Sequence, residues 1–105
     1  MRKVLVIGAT GSLATEVIKT LEKNSNVSLT LFARNISKIS GNHTKIQGDV
    51  LHINDLKKAM AGQEIVYVNL AGDLDTMSQN IIVAMKDTGV KRIIAISSIG
   101  IYKEP

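Results

Sequence analysis

The chain reads as one parallel, doubly wound α/β domain of three layers, with strand order 3-2-1-4-5. Three observations predict it. The apolar runs are short, aliphatic and bounded by turn residues, as strands buried on both faces are. They alternate with stretches of helical periodicity. The first of them runs into a glycine-rich turn, Gly8-Ala9-Thr10-Gly11-Ser12-Leu13-Ala14, that opens a helix.

Val4-Leu5-Val6-Ile7 is the first strand. From Ser12 the apolar positions Leu13, Val17, Ile18 and Leu21 recur at helical spacing with Glu16, Lys19, Glu22 and Lys23 between them, which predicts an amphipathic helix ending near Asn24 to Asn26. Val27 to Ala33 has strand composition and closes at Arg34-Asn35. Ile36 to Thr44 is a polar connection with room for one helical turn, and Lys45-Ile46-Gln47 is a short third strand before Gly48-Asp49. Asn54 to Ala61 is a short helix with Asn54 expected as its N-cap and Gly62 closing it. Ile65 to Leu70 is the fourth strand, Asp75 to Thr88 a helix stopped by Gly89, and Arg92 to Ile96 the fifth strand before Ser97-Ser98. Parallel strands joined through helices require right-handed crossovers, which place helices on both faces of the sheet.

At 105 residues and 45% hydrophobic composition, residues 1–105 make one domain with one core, and no repeat or linker divides it. The absence of cysteine removes disulfides, a thiol nucleophile and cysteine-based metal sites, and favours a reducing compartment. Phe32, Tyr67 and Tyr102 are the only aromatics, too few stacking faces for a single-stranded nucleic-acid binder. Thirteen basic against nine acidic residues give +4, with no basic run longer than two, which suits a small anionic ligand better than nucleic acid. Met1-Arg2-Lys3 and the apolar run after it break at Gly8, too early for a signal peptide or a membrane span, so a cytoplasmic protein without membrane association is expected. His43 and His52 have no histidine or cysteine at i+3 or i+4 and are expected at the surface, with no metal site.

The glycine turn carries the first chemical signal. A pyrophosphate held at a helix N-terminus needs backbone N–H groups aimed at it and no Cβ in the way. Gly8 permits the sharp exit from the strand, Gly11 a close approach of the diphosphate, and Ala14 tight packing of helix on strand. Thr10 and Ser12 can add hydroxyl donors. The spacing is G-x-x-G-x-x-A; no Gly-Lys-Ser/Thr follows, which excludes a Walker loop, and a turn that binds nothing is the alternative.

Five segments in order, GATGSLA, FARN after strand two, GDV after strand three, NLAG after strand four and SSIGIY after strand five, resemble the atypical, NmrA-like branch of the short-chain dehydrogenase/reductase superfamily over essentially the whole chain. The resemblance implies a Rossmann-like NAD(P)-binding domain. It places Gly8, Thr10, Gly11, Ser12 and Leu13 at the cofactor, Asp49 and Val50 at the adenine edge, and Leu70, Ala71, Gly72 and Ser97 along the rest of it. Asp49 also reads as a turn carboxylate or helix cap.

Arg34 falls about twenty positions beyond the glycine motif, where a side chain meets the adenosine ribose. A carboxylate there suits a 2′-hydroxyl, whereas a guanidinium attracts a 2′-phosphate. NADP is therefore expected over NAD, with Asn35 and Lys38 assisting; a solvated strand-end arginine is the alternative.

The resemblance puts Ser98 at the position of the superfamily's catalytic serine, and a serine satisfying its own strand end is the competing reading. Tyr102 is followed by Lys103, Glu104 and Pro105, so no Y-x-x-x-K pair is completed, and Tyr102 reads as pocket lining. Relatives continue into a substrate-contacting region, so a chain ending at Pro105 is expected to be truncated. Its fifth strand would then be an exposed apolar edge, through which two copies would pair as a homodimer.

Three functions follow. The first is an oxidoreductase domain passing hydride between NADP(H) and a small substrate, the second a non-enzymatic NADP-sensing regulator of NmrA type. The third binds another nucleotide, such as a sugar nucleotide or S-adenosylmethionine, and Arg34 argues against the last of these.

Overall fold

The computed structural model describes residues 2–9, 12–24, 26–39, 43–69, 74–97 and 100–103. Thr10, Gly11, Leu70, Ala71, Gly72 and Ser98 of the expected site lie outside them.

Strand β1 is Arg2–Ile7, followed by helix α1 (Ser12–Glu22), strand β2 (Val27–Ala33), a single 3-10 turn at Ile36–Lys38 and strand β3 (Thr44–Gln47). Helix α2 (Ile53–Met60), strand β4 (Ile65–Asn69), helix α3 (Leu74–Thr88), strand β5 (Arg92–Ser97) and strand β6 (Gly100–Lys103) complete the order. The first five strands are parallel in the expected order, and β6 extends it to β3-β2-β1-β4-β5-β6.

Alternation along the strands divides the core in two, because successive side chains point to opposite faces of a sheet. Leu5, Ile7, Phe32, Val66, Val68 and Ile93 pack on one face against Leu56, Ala59 and Met60 of α2 and Ile81 and Ala84 of α3. Val4, Val6, Leu29 and Leu31 pack on the other against Ala14, with Ile18 and Leu21 of α1 beside them. Three layers result, with the sheet in the middle.

Two expectations are corrected. Asn54 is not the N-cap of α2: the helix begins at Ile53, His52 occupies the cap position without a side-chain cap bond, and the acidic residue of the first turn is Asp55. The fifth strand is not an open edge, because β6 pairs antiparallel with it, Ser97 opposite Gly100 and Ile94 opposite Lys103. The pairing satisfies the backbone groups that the dimer expectation left open, so the edge on which that expectation stood is already covered. Four residues, Gly100 to Lys103, are too short for period-two alternation to mark a strand.

Candidate dinucleotide site at the carboxyl ends of the strands

Parallel strands bring all their carboxyl ends to one rim, and the order reverses between β1 and β4, where the chain from β1 goes one way and the chain from β3 returns on the other side. A crevice at that reversal is where open α/β sheets take ligands. The carboxyl ends of β1, β2, β3 and β4 therefore lie along this rim.

Gly8 leaves β1 with φ 77, a left-handed conformation costly for any residue with a Cβ. A Cβ at Gly8 would also strike the carbonyl oxygen of Asn69 at the end of β4, so the turn lies directly on the neighbouring strand. Asn69 holds it there: its Nδ2 donates to the Gly8 carbonyl oxygen at 3.3 Å. On the other side the N–H groups of Gly8 and Ala9 both donate to the carbonyl oxygen of Phe32, at 2.9 and 3.2 Å. The turn is thus stitched to β2 and β4 at once. Ser12 and Leu13 open α1, and the buried Ala14 packs its first turn onto the sheet.

Arg34 follows β2 two residues beyond Phe32, exposed to solvent, and pairs with no carboxylate among the described residues. Its charge is available at the rim. Asn35 is partly committed, since its Oδ1 accepts from the Ser37 N–H at 3.1 Å and the Ser37 hydroxyl at 2.5 Å and so caps the 3-10 turn.

Beyond β3, the N–H of Gly48 donates to the Ala33 carbonyl oxygen at 3.0 Å, and a Cβ there would stand 2.7 Å from the Phe32 ring. Only a bare Cα fits. Asp49 accepts the Leu51 N–H on Oδ1 at 2.9 Å, the turn-carboxylate arrangement. Asp55 Oδ2 accepts the Asp49 N–H at 3.2 Å, and Asn80 Nδ2 donates to the Val50 carbonyl oxygen at 3.0 Å. The Val50 side chain belongs to the core, so what it offers the rim is backbone.

Asn69, Asp55 and Asn80 escaped the sequence reading. Asn69 had a signal, as the one polar residue closing an otherwise apolar strand beside a glycine turn; Asp55 and Asn80 had none, because their partners lie across helix-to-loop contacts. Ser97 ends β5 on the same rim. The two histidines separate: His52 is largely exposed, while His43 is mostly covered and its Nε2 lies 2.6 Å from Glu22 Oε2. Among the described residues no cluster of histidine and carboxylate can hold a metal, and no helix is long and apolar enough to cross a membrane.

A parallel sheet reversing at β1/β4, with a positive-φ glycine turn opening the first helix, defines a dinucleotide-binding α/β domain. A family model described as NAD(P)H-binding matches residues 8–105. The chain belongs to that family.

Solved structures agree. A Rossmann-fold NAD(P)-binding family protein from Shigella flexneri is 44% identical with a TM-score of 0.83, over 89% of this chain and 50% of its own. Triphenylmethane reductase from Citrobacter, complexed with NADP(H), is 27% identical with a TM-score of 0.77, over 90% of this chain and 36% of its own. A short-chain dehydrogenase/reductase from Veillonella parvula in complex with NADP shares the fold at 23% identity, with a TM-score of 0.78 over 91% of this chain and 47% of its own. The chain thus spans half or less of the length of these relatives.

Proposed function

We propose that this NAD(P)-binding domain takes NADP in preference to NAD and serves an oxidoreductase of the atypical, NmrA-like kind. The observation that carries the preference is the double hydrogen bond from Gly8 and Ala9 to the Phe32 carbonyl oxygen, which sets the phosphate-side turn two residues along β2 from Arg34, whose guanidinium pairs with no carboxylate among the described residues. A diphosphate over the turn leaves the adenosine ribose beside β2, within reach of that side chain. A guanidinium gives a 2′-phosphate charge-assisted hydrogen bonds that a 2′-hydroxyl cannot match.

The residues fit the cofactor in two respects. Gly8 has the left-handed conformation that a tight phosphate-side turn requires, and the rim carries in Arg34 a cation that pairs with no carboxylate among the described residues, suited to an anionic ligand. Asp49 and Val50 would meet the adenine edge, while Ser97 and Ser98 would stand near the nicotinamide end, Ser98 as a donor to a substrate carbonyl. The bound nicotinamide supplies hydride chemistry; the protein positions it and shields it from water.

Calorimetric titration of the chain with NADPH and with NADH tests this. Tighter binding of NADPH is expected, with the difference shrinking as salt rises. Equal affinities would overturn the preference for NADP, and no binding of either would overturn the whole reading.

A further inference from the structure

The turn from Gly48 to Val50 is held more firmly than a surface loop needs to be. The Asp49 N–H goes to Asp55 Oδ2 at 3.2 Å, and the Asp49 carbonyl oxygen accepts the His52 N–H at 2.9 Å. Its carboxylate Oδ1 takes the Leu51 N–H at 2.9 Å, and the next carbonyl oxygen, that of Val50, takes Asn80 Nδ2 at 3.0 Å. Asp55 belongs to α2 and Asn80 to α3, so two helices reach over to fix one turn.

The use of Asp55 is unusual for its position. A carboxylate in the third helical position ordinarily turns back to the cap residue's own N–H. Here the cap residue is His52, which makes no side-chain cap bond, and Asp55 Oδ2 reaches three residues further back to Asp49, lying 3.6 Å from His52 Nδ1 on the way. Gly48 lets α2 come this close, since a Cβ there would sit 3.0 Å from the Asp55 Cβ as well as against Phe32. Asp49 Oδ2 receives no hydrogen bond from a described residue. An ionised carboxylate only accepts, so the group it can take is a donor such as an exocyclic amine.

We propose that Asp55 and Asn80 are positioning residues that clamp the Gly48 to Val50 turn and aim Oδ2 of Asp49 at the 6-amino group of the adenine; the inference rests on the dinucleotide reading above. Neither side chain touches the ligand. Both act through the backbone of the turn.

The test is calorimetric titration of the chain and of Asp55→Ala, Asp55→Asn and Asn80→Ala with NADPH and with its hypoxanthine analogue, which carries an oxygen in place of the 6-amino group. The unsubstituted chain is expected to favour the adenine form about tenfold, the worth of one hydrogen bond to a charged group. Asp55→Ala and Asn80→Ala should bring that ratio close to one, and Asp55→Asn, which keeps an acceptor oxygen, should restore most of it. Variants that bind more weakly at an unchanged ratio would show a structural role only and overturn the clamp, as would unchanged binding. A native chain that binds both forms equally would overturn the aiming of Asp49, and one that binds neither would overturn the dinucleotide reading itself. If Asp55→Ala fails to fold, Asn80→Ala decides, because it leaves α2 and its first turn intact.

Discussion

Asn69 Nδ2 donates to the carbonyl oxygen of Gly8 at 3.3 Å, while a Cβ on Gly8 would strike the carbonyl oxygen of the same Asn69. The glycine turn is therefore fixed against β4 by one attraction and one steric limit. Asn69→Ala removes only the attraction and is expected to lower stability by about 1 kcal/mol, with NADPH affinity reduced as the turn loosens. Urea unfolding together with calorimetry reads both; unchanged affinity would show that the Phe32 bonds hold the turn alone.

Gly8→Ala meets the steric limit directly. A side chain at φ 77 costs about 1–2 kcal/mol by itself, and relieving the collision with Asn69 adds about 1–3 kcal/mol. For a domain whose whole stability is about 5–15 kcal/mol, a clear fall in the urea midpoint is expected, with loss of NADPH binding.

Gly48 and Phe32 should behave as a coupled pair. Gly48→Ala places a Cβ 2.7 Å from the ring and is expected to destabilise the chain by about 1–3 kcal/mol. Phe32→Leu withdraws the ring atoms at the cost of a cavity. In the double variant the second change should cost less than it does alone, a non-additivity that a double-mutant cycle measures; simple additivity would mean that the clash is relieved elsewhere.

Arg34→Asp replaces an exposed side chain, so stability should move by no more than about 0.5 kcal/mol. NADPH affinity should fall by about 10- to 100-fold through loss of the charge-assisted bonds, while NADH affinity holds or improves. A parallel loss for both cofactors would place the effect in the turn rather than in the 2′-phosphate contact.

Removing residues 98–105 deletes β6 and uncovers the backbone edge of β5. The shortened chain is expected to associate at micromolar concentration while the full chain, under the same conditions, associates less. Light scattering compares the two, and an equally dispersed short chain would show that the edge of β5 is protected in another way.

The sequence by itself determined the five parallel strands, their order, the helices between them and the rim on which Gly8, Arg34 and Asp49 lie, because each rests on local signals: apolar runs, helical period and turn residues. Val27 to Ala33 has the same bounds in the sequence reading and in the structure. Tertiary structure alone decided the rest. The cap of α2 moved to His52, because the helix starts where Asp55 can reach the Asp49 N–H, a contact with no period to reveal it. Strand β6 exists because β5 supplies unpaired backbone groups, not because four residues favour extension. Asn69 and Asn80 acquired partners 61 and 30 residues away. Side-chain bonds of that separation depend on where folding brings the partner, and residue type or spacing along the chain cannot report it.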